Sequence, residues 1–307
     1  MPTKEFSFPS SDGIHTIRAV TYLPETAPCA VIQVAHGMTE YFGRYEEFAL
    51  AMNEGGFAVS GHDHLGHKTA VRDDSELGFL AEKDGWRYLL DDMAQHTRLL
   101  RESYPGLPVI LLGHSMGSFA ARCYLAEYGD LVDAAILSGT GGPNPAVGAG
   151  KALASLLCAL GQGKKPGKAL QKIAFGSYNR GFENRTPYDW LSRDQAVADR
   201  YAADPYCTFL FTNSAFRDLF TLYATCSALP AFRAVRKDLP ILMISGKEDP
   251  VGGLDGEGPS KVAEMYRDTG HSKVKLLLYP GARHELFNET CRREVFDAVL
   301  HWLRATV

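Results

Sequence analysis

Gly113-His114-Ser115-Met116-Gly117 follows the apolar run Pro108-Val109-Ile110-Leu111-Leu112 and leads into a helix-like stretch from Ser118. A G-x-S-x-G pentapeptide alone is a weak signal. At the joint of a buried strand and a helix it describes a turn so sharp that the central serine is lifted clear, with small residues two positions either side to avoid collision. Ser115 is therefore the candidate nucleophile. The competing reading is a glycine-rich strand-to-helix turn with an incidental serine.

A serine hydroxyl attacks poorly at neutral pH and needs a base, and the base needs a group to orient it. After the strand-like Pro240-Ile241-Leu242-Met243-Ile244-Ser245-Gly246 comes Lys247-Glu248-Asp249-Pro250-Val251-Gly252, which places an acid in a loop beyond a strand's carboxyl end. After Val274-Lys275-Leu276-Leu277-Leu278-Tyr279 comes Pro280-Gly281-Ala282-Arg283-His284-Glu285, which places a histidine beyond the next. In an open parallel sheet, ligands gather outside the carboxyl ends of the strands, so Ser115, Asp249 and His284 can converge although far apart in sequence. The oxyanion formed on attack needs backbone donors, and the N–H of Met116, the residue after the nucleophile, is one.

These tracts resemble the monoacylglycerol lipase and lysophospholipase group of α/β-hydrolases, the serine aminopeptidase S33 type. The resemblance rests on His36-Gly37-Met38-Thr39-Glu40, Gly43-Arg44-Tyr45, Gly61-His62-Asp63-His64-Leu65-Gly66-His67, the Ser115 pentapeptide, Asp249-Pro250-Val251 and the loop from Gly281 to Glu285. It covers most of residues 1–140 and 235–307 and is looser in the middle, where Asp189-Trp190-Leu191-Ser192-Arg193-Asp194 and Asp204-Pro205-Tyr206-Cys207 carry it. The resemblance implies an α/β-hydrolase fold, ester substrates of the monoacylglycerol or lysophospholipid kind, and Met38 as second oxyanion donor. It favours Asp249 over the adjoining Glu248. Lys68-Thr69 departs from the pattern, since relatives usually carry a further glycine after the second histidine.

At 307 residues, 45% hydrophobic and 22% charged, the chain can bury a large core, and one domain with an inserted subdomain fits better than two equal ones. A net charge of −4 gives no electrostatic case for nucleic acid. No apolar stretch follows Met1-Pro2-Thr3-Lys4-Glu5, and no run approaches a membrane span, so the expectation is a soluble cytoplasmic protein without a signal peptide. Cysteines 29, 123, 158, 207, 226 and 291 form no C-x-x-C pair and read as reduced core residues, with a functional thiol left open at Cys158 or Cys207. Neither a metal nor a cofactor is expected, and the sequence leaves the oligomeric state open.

Strands are expected near 4–8, 14–23, 29–35, 57–62, 109–112, 134–137, 241–245 and 275–279, the first two as an antiparallel ribbon, with helices at 42–54, 86–103, 118–128, 259–269 and 290–304. The alternation of short apolar runs with helical stretches argues a mostly parallel, doubly wound sheet. Residues 1–140 and 236–307 form the expected core. Residues 141–235 lack any strand of the core type and read as an inserted helical cap. Within it Phe216, Leu219, Phe220 and Tyr223 follow helical spacing, as do Leu153, Leu156, Leu157 and Leu160. Such stripes ordinarily pack the cap onto the body. The functional reading lets Phe216, Leu219 and Phe220 line a pocket for an acyl chain.

His271 and His301 read as packing or surface residues, and His36 and His114 as loop-bonding ones. Asp63, His64 and His67 have the donor types of a metal site, but their place in a post-strand turn favours loop hydrogen bonds. Asp91-Asp92 resembles a carboxylate pair, yet adjacent residues on a helix point apart, so a solvated face is expected. Lys164, Lys165, Lys168 and Lys172 read as a solvated loop, the alternative being transient contact of the cap with an anionic membrane surface. Two other function classes remain open. An aminopeptidase or amidase of the proline iminopeptidase type would use cap acids such as Glu183 or Asp189 to hold a substrate amine. A binding protein would retain the fold without catalysis.

Overall fold

A computed structural model describes residues 2–307; Met1, which opens the terminal stretch read above, lies outside them. Eight strands, β1 (Thr3–Pro9), β2 (Thr16–Tyr22), β3 (Ala30–Ala35), β4 (Phe57–His62), β5 (Val109–His114), β6 (Ala134–Ser138), β7 (Ile241–Gly246) and β8 (Val274–Tyr279), form one sheet in the order β1-β2-β4-β3-β5-β6-β7-β8. β1 and β2 pair antiparallel, β2 joins β4 antiparallel, and every pairing from β4 to β8 is parallel.

The central strands are buried along their whole length because both sheet faces are covered by helices. Period-2 alternation survives as a choice between two cores. Leu111, Ala135, Leu137, Ile241 and Met243 face the core shared with α2 (Gly85–Ser103) and α3 (Met116–Tyr128). Their neighbours Ile110, Leu112, Ile136, Leu242 and Ile244 face the core closed by α1 (Glu46–Glu54) and α11 (Arg292–Thr306).

Between β6 and β7 the chain forms α4 (Ala146–Leu157), α5 (Lys168–Phe175), α6 (Gln195–Ala203), α7 (Pro205–Thr208), α8 (Asn213–Ser227) and α9 (Leu229–Ala234). α10 (Glu257–Asp268) then crosses from β7 to β8. Part of this inserted stretch shares the core of the body, and part, at Leu191, Tyr201 and Cys207, forms a small apolar cluster of its own. Phe216 and Leu222 of α8 and Phe232 of α9 belong to the same buried cluster as Leu111 and Met243 of the sheet, and α8 and α9 lie against α3. Residues of α5 and α6 reach the loops that follow β5 and β8.

Candidate active site

The turn between β5 and α3 is as sharp as its sequence requires. Ser115 sits at φ 53°, ψ −121°, a strained combination for a residue with a side chain. The flanking glycines allow the close approach. A Cβ at Gly113 would stand 2.4 Å from the Gly117 carbonyl oxygen, and one at Gly117 would stand 2.1 Å from that of Ala35. These neighbours are backbone and cannot yield, so α3 comes this close to β3 only with glycine at that position.

Asp249 and His284 lie in the loops beyond β7 and β8. The Asp249 carboxylate is fully buried, accepts from Val251 N at 2.8 Å through Oδ1, and meets His284 Nδ1 at 2.9 Å through Oδ2. Nδ1 carries the proton in that bond and Nε2 is left basic. Burial works against the charged imidazole, but the Asp249 charge and its hydrogen bond outweigh it and raise the pKa of His284 above 6.5. Gly139, at φ 58° beyond β6, leaves room for the ring: a Cβ there would be 2.9 Å from His284 Cε1. The His114 and Trp190 rings pack on the imidazole with centroids at 4.7 and 5.0 Å.

Ser115, His284 and Met38 line one cavity of about 490 Å³. No hydrogen bond joins the Ser115 hydroxyl to His284 among the described residues. Met116 opens α3, so its N–H is one of the donors that a helix N-terminus leaves unpaired. The loop of Gly37, Met38 and Thr39 passes so close that a Cβ on Gly37 would be 3.1 Å from Ser115 Cβ. Its backbone is held from behind. The Gly37 N–H donates to Glu40 Oε1, His36 Nδ1 donates to the Gly37 carbonyl at 2.8 Å, and the Thr39 N–H donates to His67 Nε2 at 3.3 Å. Arg44 then ties this loop to the histidine loop, reaching Glu40 at 3.0 Å and Glu285 by two bonds of 2.6 and 2.7 Å. Its partners reach one another across some 240 residues of chain, so sequence proximity gave no sign of the bridge.

The expectation that Phe216, Leu219 and Phe220 line an acyl pocket needs correction. All three are buried in the contact of α8 with α4 and the body, and Phe220 lies so close to Gly150 that a Cβ there would be 2.9 Å from its ring. Phe175, Tyr188, Trp190, Leu191 and Leu210 provide the apolar wall of the cavity instead. Helical periodicity identifies a buried face but not which body it is buried against. The stripe at Leu153, Leu156, Leu157 and Leu160 also divides, since Leu156 and Leu160 are 56% and 64% exposed.

Among the rivals, Glu248 is exposed and His301 is on the surface, whereas His271 is buried and bonds the Tyr266 carbonyl. His36 and His114 are engaged in loop and strand-end hydrogen bonds. Asp63 accepts from Phe42 N and Thr69, and His67 bonds the Leu65 carbonyl, which occupies both in shaping the loop. Lys68 keeps the turn without the usual glycine, at φ 23°, and its ammonium lies 3.4 Å from the centre of the Tyr41 ring. Asp92 departs from expectation: it is buried and receives Ser10 Oγ and Ser11 N at 2.8 and 2.7 Å, pinning the β1–β2 turn to α2. Cys29, expected inside, is exposed.

The sheet order, the elbow after β5 and the acid and histidine beyond β7 and β8 define an α/β-hydrolase. A family model described as serine aminopeptidase, S33, matches residues 26–291. The chain is 30% identical over 303 residues to a monoacylglycerol lipase of Mycolicibacterium smegmatis, covering 97% of this chain and 96% of that one. It is also 30% identical to a monoglyceride lipase of Rattus norvegicus, over 92% of this chain and 84% of the other. A thermostable carboxyl esterase from Bacillus coagulans, solved with glycerol, superposes with a TM-score of 0.93 at 31% identity, over 100% of this chain and 99% of that one. The chain belongs to the S33 family of serine hydrolases.

Proposed function

We propose that the protein cleaves carboxylic esters of lipid-like substrates, monoacylglycerols or lysophospholipids, through an acyl-enzyme on Ser115. The observation that carries this reading is the buried Asp249–His284 hydrogen bond of 2.9 Å, which orients an imidazole on the wall of the cavity that Ser115 enters from its strained turn. The names borne by the relatives and the apolar wall at Phe175, Trp190 and Leu191 support the substrate class.

Rotation of the Ser115 side chain brings its hydroxyl to His284 Nε2, a contact that apo sites commonly leave unmade. His284 takes the proton as the oxygen attacks the ester carbonyl, and Asp249 stabilises the imidazolium. The N–H groups of Met38 and Met116 receive the oxyanion. His284 returns the proton to the departing alcohol, and water repeats the sequence on the acyl-enzyme. Residues 141–235 act in this reading as the cap, which shelters the acyl chain from water; each methylene so buried contributes about 0.8 kcal/mol.

The aminopeptidase alternative loses its anchors. Glu183 is paired with Arg283 through two bonds of 2.9 Å, and Asp189 caps the backbone of Arg185 and Thr186. Glu40 and Glu285 on the cavity wall are already matched to Arg44. In the cap, Leu156, Leu160 and Ile173 are more than half exposed and Lys165 and Lys168 are exposed as well, which suits transient contact with an anionic lipid surface, whereas Lys164 pairs with Glu82 and Lys172 lines the cavity. No helix among the described residues is long and apolar enough to cross a membrane. Six unpaired thiols fit a reducing, cytoplasmic setting.

A fluorophosphonate probe tests the chemistry: it should label Ser115, and Ser115→Ala should abolish both labelling and turnover of monoacylglycerol and lysophosphatidylcholine. Faster cleavage of aminoacyl amides than of esters would return the peptidase reading, and absence of labelling would favour a non-catalytic binding protein.

A further inference from the structure

We propose that Tyr201, carried on α6 of the inserted stretch, is a positioning residue for the oxyanion loop, so that the Met38 donor is properly set only while the insertion is seated on the body. The inference rests on the catalytic reading given above. Tyr201 is buried, and its hydroxyl donates to the Thr39 carbonyl at 2.8 Å while accepting from Thr39 Oγ1 at 2.9 Å. Both bonds therefore fall on the residue that follows Met38.

Thr39 needs such a grip. It sits at φ 50°, a left-handed conformation that is unfavourable for a β-branched side chain. The other holds on this loop, from His36, Glu40 and His67, come from the body and act on Gly37 and on the Thr39 N–H. Among the described residues, only the Thr39 carbonyl and hydroxyl of this loop are hydrogen-bonded from the insertion. Release of the Tyr201 hydroxyl removes the restraint on the carbonyl side of a strained residue; the Thr39 N–H then keeps only its 3.3 Å bond to His67, and relaxation of Thr39 shifts the adjoining Met38 backbone. The Met38 N–H has no acceptor among the described residues; its peptide is held from the body only through the Gly37 carbonyl, by His36, so a shift at Thr39 tilts the donor without freeing it.

Tyr201→Phe removes a single oxygen and leaves the ring packed on Tyr188 and under the Arg44 guanidinium, both at 4.8 Å. Tyr41→Phe provides the comparison: it breaks a body-to-insertion hydrogen bond of 2.8 Å, to Asp204, without touching residues 37–39. On a soluble p-nitrophenyl ester, Tyr201→Phe should keep KM within about twofold and lower kcat about tenfold, since small misplacements of catalytic groups have effects of this order. Inhibition by a trifluoromethyl ketone, whose hemiketal presents an oxyanion, should weaken by the same factor. Thr39→Val, which keeps the β-branched side chain and loses only the second bond, should fall between Tyr201→Phe and the wild type. The proposal is overturned if Tyr201→Phe turns over like the wild type, if only KM changes, or if Tyr41→Phe reproduces the loss. Failure of the fluorophosphonate to label wild-type Ser115 would instead remove the catalytic reading itself.

Discussion

In the proposed mechanism His284 must be neutral to accept the serine proton, and Asp249 favours its charged form. The raised pKa therefore works against activity on the acid side: kcat/KM should fall as pH drops through a value above 6.5, earlier than for a free imidazole. Asp249→Asn should remove that support and lower kcat by several orders of magnitude as the wrong tautomer prevails. A pH–rate profile that is flat down to pH 5 would contradict the assignment. At this scale Ser115 was legible because its requirement is local, two glycines and a strand-to-helix joint. Asp249 was legible because it follows the buried strand β7, and His284 because it follows the apolar run of β8, a half-buried strand at the sheet edge. Arg44 and Tyr201 were not, since their roles depend on partners brought together by folding, Glu285 in one case and Thr39 in the other.

Helices and strands followed the hydrophobic pattern wherever an element had one partner to pack against. The parallel strands β3 to β7 read as continuous apolar runs because helices cover both faces. The insertion was less legible. α8 carries the spacing of a packed helix, but the sequence does not say whether that face meets a ligand or the body. The structure directs Phe220 into the contact with α4 and puts Phe175 of α5 on the cavity wall. Phe220→Ala should therefore lower stability by about 3–5 kcal/mol, the usual cost of deleting a buried phenyl ring, and leave the acyl-length preference intact. Phe175→Ala should shift that preference with a smaller loss of stability. Denaturant titration together with a series of p-nitrophenyl esters separates the two; a change of chain-length profile in the Phe220 variant would place the pocket elsewhere.

Across the whole molecule, buried titratable groups set the response to acid. Burial holds His36, His62, His64, His67, His96 and His114 below 6.5, His62 and His67 at about 4. A depressed histidine stabilises the fold above its unfolded pKa, and that contribution is lost as pH falls toward the folded value, because only the unfolded chain takes up the proton. Three buried carboxyls oppose this: burial raises Glu40, Asp92 to about 6 and Asp218 to about 7, and each favours the folded state as pH falls. His271 is also lowered, while His15 and His284 are raised and act with the carboxyls; the depressed histidines are the larger set, so the unfolded chain takes up more protons and stability should decline as pH falls below about 6.5. The melting temperature should therefore fall as pH is lowered from about 7 to 4. Calorimetric scans from pH 8 to 4 check this, and an unchanged melting temperature at pH 5 would show that these histidines are solvated.

The packing of Trp190 on the imidazole of His284 gives the chain a built-in optical reporter. A protonated imidazole quenches indole emission, and with three tryptophans in all, Trp86 and Trp302 need only be replaced to leave that signal alone. The charge state of the base could then be followed by fluorescence in the resting enzyme, without any chromogenic ester.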